Sequence, residues 1–186
     1  METRSDNELM ELVARGDTIA FRVLYERYNM PIFNLILRST GNRELSQDLL
    51  QETFVRIWQA AEVFDPRRGV FKGWLFRIAL NITRSEMAKR RHHVYFMPVE
   101  EAFPGIPQAN GPDRILEQQQ QKNRVAQALG RLSPRLREVI ILKYYHQLKF
   151  REIAEITDTP EGTLKARFHR AVAELQGFFH SGDANP

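Results

Sequence analysis

Three groups of residues have types and spacings that suit chemistry. Asp48 and Glu52 stand four apart with Gln51 and Val55 beside them, so on a helix the two carboxylates share one face. Such a pair can dock basic groups, act as an acid/base couple, or supply part of a magnesium site. The second group, FDPRRGVFKGW at residues 64–74, mixes aromatic, apolar, polar and cationic side chains. That mixture suits the capture of bases that have left the stack, because pockets hold the ring, polar groups read its edges and cations follow the backbone. In the third group Lys165, Arg167, His169 and Arg170 fall within two helical turns, on a segment whose apolar residues are Leu164, Phe168, Val172 and Leu175. A basic helix face opposite an apolar stripe suits a DNA groove, although a solvated surface is the common alternative.

The elements that must position these groups are helical. Asp6 is expected to cap a helix ending near Arg15, and Gly16 with Asp17 to start a second that Pro31 kinks. A third helix over about 44–63 turns Leu50, Phe54, Ile57 and Ala61 inward, with Trp58 also expected in the core. A fourth turns Phe71, Leu75, Ile78 and Ile82 inward and leaves Arg77, Asn81, Arg84 and Ser85 elsewhere. Phe71 and Trp74 stay open between core and base contact. In the C-terminal part a glutamine-rich helix spans about 114–132, Ser133-Pro134 opens a helix through Tyr145, and a short helix over 150–156 precedes the turn Thr157-Asp158-Thr159. Pro160 then opens a long helix. Two helices across a tight turn, the second basic, form a helix-turn-helix, whose second helix enters a major groove. No stretch alternates with period two, so the fold class is all-α.

Charge and composition divide the chain. Of 186 residues, 42% are hydrophobic and 27% charged, which excludes collagen-like and wholly disordered classes. The net charge of +4 is modest, but residues 63–93 hold eight Lys or Arg against two acids, whereas the first 62 residues are net acidic. Residues 94–113 carry Pro98, Pro104, Pro107 and Pro112 and read as a flexible linker. Two small helical domains follow, 1–93 and 114–180. Zero cysteines exclude disulfides, thiolate metal sites and cysteine nucleophiles. His92 and His93 are adjacent and diverge, and His146, His169 and His180 are isolated, so neither metal nor cofactor is expected. No apolar run spans a bilayer and no secretory start is seen, which points to a cytoplasmic protein without direct membrane insertion.

The runs DLLQETFVRIW (48–58), FDPRRGVFKGWLFRIALN (64–81) and RSEMAKRR (84–91) resemble the promoter-melting domain of the extracytoplasmic-function sigma factors of bacterial RNA polymerase. LSPRLREVIILKYYHQLKFREIAEI (132–156) and PEGTLKARFHRA (160–171) resemble their promoter-binding domain. The resemblance implies a protein that binds core RNA polymerase, recognises two promoter elements in promoter DNA and helps melt one, catalysing no reaction itself. It implies that Asp48, Gln51, Glu52 and Val55 dock on the polymerase. It assigns Asp65, Arg67, Arg68, Lys72, Arg77, Asn81 and Arg84 to DNA that is opening, and Glu161, Thr163, Lys165, Arg167, His169 and Arg170 to duplex. An anti-sigma factor is a further expected partner. Ala166 and Val172 depart from the family pattern, so its upstream sequence preference is not carried over. Two other classes compete: a helix-turn-helix regulator of duplex operators, which leaves the 64–74 loop without a use, and a magnesium nuclease, which lacks a third acidic partner for Asp48 and Glu52.

Overall fold

The computed structural model describes residues 4–89 and 112–182, and all the regular structure in them is helical. The expected linker therefore lies almost wholly outside the described residues, as do Arg90, Arg91, His92 and His93.

Helix α1 (Asp6–Val13) starts on a reciprocal cap in which Ser5 Oγ accepts from the Glu8 N–H and Glu8 accepts from the Ser5 N–H at 2.8 Å. The cap falls on Ser5 rather than Asp6 because the Asp6 carboxylate is drawn to α2, where Arg27 and Tyr28 donate to it. Gly16, at φ +85°, turns the chain out of α1 through the left-handed region. Asp17 then accepts from the N–H groups of Ile19 and Ala20, both at 2.9 Å, and opens α2 (Thr18–Thr40), which runs on through Pro31. Asn42 caps α3 (Arg43–Gln59). This helix ends short of residue 63: a separate 3-10 turn, Ala61–Val63, tucks Ala61 into the core and leaves Val63 77% exposed.

Helix α4 (Phe71–Lys89) is the hub. Its first N–H, on Phe71, donates to Asn7 Oδ1 of α1 at 2.8 Å, a cap supplied from 64 residues away. Phe71, Leu75, Phe76, Ala79, Leu80 and Ile82 are all buried, so α4 packs on α1, α2 and α3 on one side and on the second half of the chain on the other.

That half comprises α5 (Pro112–Arg131), α6 (Pro134–Ile140), a π-helical turn (Ile141–Tyr145), α7 (Phe150–Thr157) and α8 (Glu161–Gly182). Pro134 sits at the first position of α6, where its missing amide donor costs nothing, while the Ser133 hydroxyl makes no cap bond. Asp158, at φ +51°, ends α7 and makes the tight turn into α8. A small cluster of Leu129, Leu132, Leu136, Ile140 and Ala171 gives this half a core of its own. Val139, Ile141, Leu142, Leu148, Ile153 and Ile156 join the buried cluster of α1 to α4 instead. Two helical units are present, but their apolar faces meet.

Arg137 of α6 fixes that meeting. The residue is 6% exposed. It donates to the carbonyls of Leu129 (2.9 Å), Gly130 (2.9 Å) and Leu132 (3.1 Å) at the end of α5, and to Ser39 of α2 at 3.0 Å. Both helix ends carry unpaired carbonyls and the negative pole of the helix dipole, so a buried cation satisfies both. Arg137→Met keeps the apolar stem and removes every donor, and should cost about 3 kcal/mol or more. Trp74 lines the cleft between the halves whereas Trp58 packs on Phe21 within the first half, so urea unfolding in a Trp74→Phe background, followed by Trp58 fluorescence, reports the first half alone. A lowered midpoint there is expected, although the substitution is in the second half; an unchanged tryptophan midpoint with loss of helix elsewhere would mean that the halves are uncoupled.

Candidate polymerase-docking and nucleic-acid surfaces

Helix α3 presents Asp48, Gln51 and Val55 to solvent, with Glu52 half-buried beside them and paired to Arg56 one turn on. Val55 is 53% exposed, so the stripe is part acidic and part apolar. Trp58, expected in the core, is 38% exposed. It lies on the shoulder of α3 with Phe21 against it (5.1 Å, edge-on), and Tyr25 stands nearby against Phe54. The spacing 51, 55, 58 runs along one helical face, which was the available signal that Trp58 continues this stripe. Tyr25, on α2, gave no such signal.

The loop before α4 is built around Asp65. Its carboxylate accepts from the Arg67 N–H at 3.0 Å and from Arg67 Nε at 3.1 Å, opening the short turn Pro66–Arg68. The Arg67 bonds hold the Asp65 carboxyl below its usual pKa, so it stays ionised and keeps the turn closed. Gly69, at φ +153° and ψ −179°, occupies a region that only glycine reaches easily, which lets α4 start immediately afterwards. Phe71 is core. Trp74 is half-buried and rests on Phe64 with ring centroids 5.2 Å apart. Phe64, Trp74, Arg68, Lys72 and Arg77 line one side of a cleft of about 380 Å³. Its other side comes from the second half: Leu148, Glu152, Glu155 and Ile156.

Arg77, Asn81 and Arg84 form one exposed stripe on α4. Two of these residues are engaged within the chain. Arg77 donates to the Glu155 carbonyl near the end of α7, and Arg84 makes a two-pronged contact with Glu138 of α6 at 2.7 and 2.8 Å. The pair with Glu138 holds the Arg84 proton more tightly than usual.

In the helix-turn-helix, Ile153 and Ile156 of α7 and Leu164 of α8 are buried, and Phe150 meets Phe168 edge-on at 5.7 Å. Glu161, Thr163, Lys165, His169 and Arg170 face solvent, while Arg167 is half-buried and turns into the cleft between the halves beside Arg84 and Glu138. Lys165 lies 3.8 Å from Glu161, and Arg170 pairs with Glu174 at 2.9 Å. Among the described residues no group of three metal-ligating side chains converges, and no helix is long and apolar enough to cross a membrane.

These surfaces define a helical DNA-binding protein of two units, the second a helix-turn-helix. Residues 24–93 match the family model for Sigma-70 region 2, and residues 122–175 match that for Sigma-70, region 4. The ECF RNA polymerase sigma factor SigW of Bacillus subtilis is 33% identical over 171 residues, covering 88% of this chain and 91% of that protein. The RNA polymerase sigma-H factor of Pseudomonas aeruginosa is 30% identical over 175 residues, covering 89% of each. The solved structure of CnrH in complex with the cytosolic domain of CnrY aligns with 96% of this chain and 99% of its own (TM-score 0.72, 28% identity). This chain belongs to the ECF sigma factors.

One polar group at the junction fits neither DNA nor polymerase contact. His146 follows the π turn, meets the Phe76 ring of α4 edge-on, and has a buried Nε2 without a hydrogen-bond partner. Burial, then Arg38 of α2 and Lys72 of α4, push its pKa from 6.5 down to about 4. The folded chain therefore holds His146 neutral where the unfolded chain takes up a proton. That contribution is complete above about pH 6.5 and is lost as pH falls toward 4, by at most about 1.4 kcal/mol per pH unit. Urea midpoints at pH 7 and pH 5 should differ less in His146→Gln than in the wild type, and an equal difference in both would place the acid sensitivity elsewhere.

Proposed function

We propose that this chain is a sigma factor that docks on core RNA polymerase through α3, reads one promoter element as duplex through α8, and captures DNA as it opens at the second element through the 64–74 loop and α4. The observation that carries the proposal is the occurrence of both sigma regions, in family order, on one chain that aligns with 91% of SigW. The geometry supports the same division. The exposed acids of α3 suit a basic partner face, with Val55 and Trp58 adding apolar area. Phe64 and Trp74 offer a ring-sized shelf flanked by cations. On α8, Gly162 and Ala166 leave the outer face low between Lys165 and Arg170, so the helix backbone can approach a groove floor. A sequestering protein partner belongs to the proposal, since the similar CnrH is held by a cytosolic domain of CnrY. The nuclease reading has no support in α3, where Glu52 is tied to Arg56 and no third carboxylate joins it among the described residues.

Reversing the charge at Asp48 and Glu52 together should weaken binding to core polymerase at moderate salt while leaving the helical circular dichroism intact; equal affinities would remove α3 from the docking surface. For DNA, the two halves should fail differently. Arg167→Ala should weaken holoenzyme binding to closed duplex promoter, by about 1–3 kcal/mol if the contact is bidentate to a base. Asn81→Ala should spare that step and reduce permanganate-detected strand opening. The same closed-complex defect in both, with melting unchanged, would contradict the division.

A further inference from the structure

A second cleft between the halves, of about 670 Å³, is lined by the C-terminal part of α4, the start of α6, the α7–α8 turn and Arg167 of α8. Small-molecule sites span roughly 300–1,000 Å³. The charge of this cleft is lopsided: among the described residues it gathers Arg84, Arg135, Arg137 and Arg167 against the single carboxylate of Glu138. That carboxylate is already neutralised by the Arg84 fork at 2.7 and 2.8 Å. Arg137 donates to main-chain carbonyls, which satisfy its N–H groups without cancelling its charge. Arg167 is half-buried and makes no hydrogen bond or ion pair with the described residues, and neither does the exposed Arg135. The threonine hydroxyls of the lining are committed, since Thr83, Thr157 and Thr159 donate to the carbonyls of Ala79, Ile153 and Thr157. The donors left to a ligand are therefore guanidinium groups, whose planar fork matches a phosphate. Met87, Ala88 and Pro134 give the same cleft an apolar wall.

We propose that this cleft is a binding site for a nucleoside polyphosphate: Arg135 and Arg167 take the phosphate chain, and the base rests on the wall of Met87, Ala88 and Pro134. Arg135 stands on α6 and Arg167 on α8, so a chain of linked phosphates serves both where a lone phosphate serves one. The walls come from both halves. The site therefore exists only while the halves are packed together, and a ligand in it stabilises that packing by mass action. The inference concerns the free chain and holds whether or not α8 reads duplex DNA.

The test is isothermal titration calorimetry of the full chain, without polymerase, at moderate salt with EDTA, using ATP, GTP and inorganic tripolyphosphate as probes. Saturable binding of a nucleotide at one site per chain is expected, tighter than that of tripolyphosphate. Arg135→Gln combined with Arg167→Gln should weaken it roughly tenfold or more, the scale of losing two charge-assisted contacts. The pair Arg15→Gln and Arg22→Gln, on exposed positions of the first half, makes the same change in net charge and should weaken binding by less than about twofold. Glu138→Gln removes the carboxylate of the cleft and releases Arg84, and should tighten binding roughly threefold, a gain that misfolding does not mimic. No saturable nucleotide binding by the wild type, or a loss in the Arg135/Arg167 pair no larger than in the control, overturns the site. Tripolyphosphate binding as tightly as both nucleotides overturns the assignment of the apolar wall to a base.

Discussion

A guanidinium removed from water must be surrounded by acceptors, and the position of Arg137 is where the two halves of this chain meet that requirement together. Acceptors at Leu129, Gly130 and Leu132 close the end of α5, and Ser39 of α2 supplies another. The contact sets where α6 lies. Glu138 then falls opposite Arg84, the π turn brings His146 against Phe76, and α7 lies along α4 with Ile153 and Ile156 in the shared core. Arrangement and occupancy have one origin: adjacent side chains of α6 grip two different helices of the first half.

The consequence for function lies in which faces that packing covers. Asp48, Gln51 and Val55 remain exposed on α3 while Arg77 and Arg84 are engaged.

Helix starts were legible in the sequence at Asp17 and Pro134, and so was the outward stripe of α3, because side-chain periodicity on one helix is a short-range property. The helix-turn-helix was legible for the same reason. Trp58 was misplaced although it shares a face of α3 with Gln51 and Val55, because a large aromatic side chain was assigned to the core ahead of that spacing; it lies on the shoulder against Phe21 instead. The partners of Arg77 and Arg84 lie 78 and 54 residues away in the chain. No pattern within either helix encodes such a pairing, so a cation destined for an internal carboxylate reads the same as one destined for a phosphate. The proline-rich stretch suggested independent domains for a related reason: prolines disfavour helix locally and say nothing of what packs on either side.

The packing of the two halves in the free chain is governed by the buried Arg137 guanidinium, which joins the end of α5 to Ser39 of α2. The chain has no cysteine of its own, so Gln59→Cys on α3 and Ala173→Cys on α8, both exposed, label specifically. Electron–electron resonance between spin labels at these positions reads the separation of the halves. The free chain should give one short, narrow distance, and Arg137→Met should lengthen and broaden it. The same short, narrow distance in Arg137→Met would contradict the account.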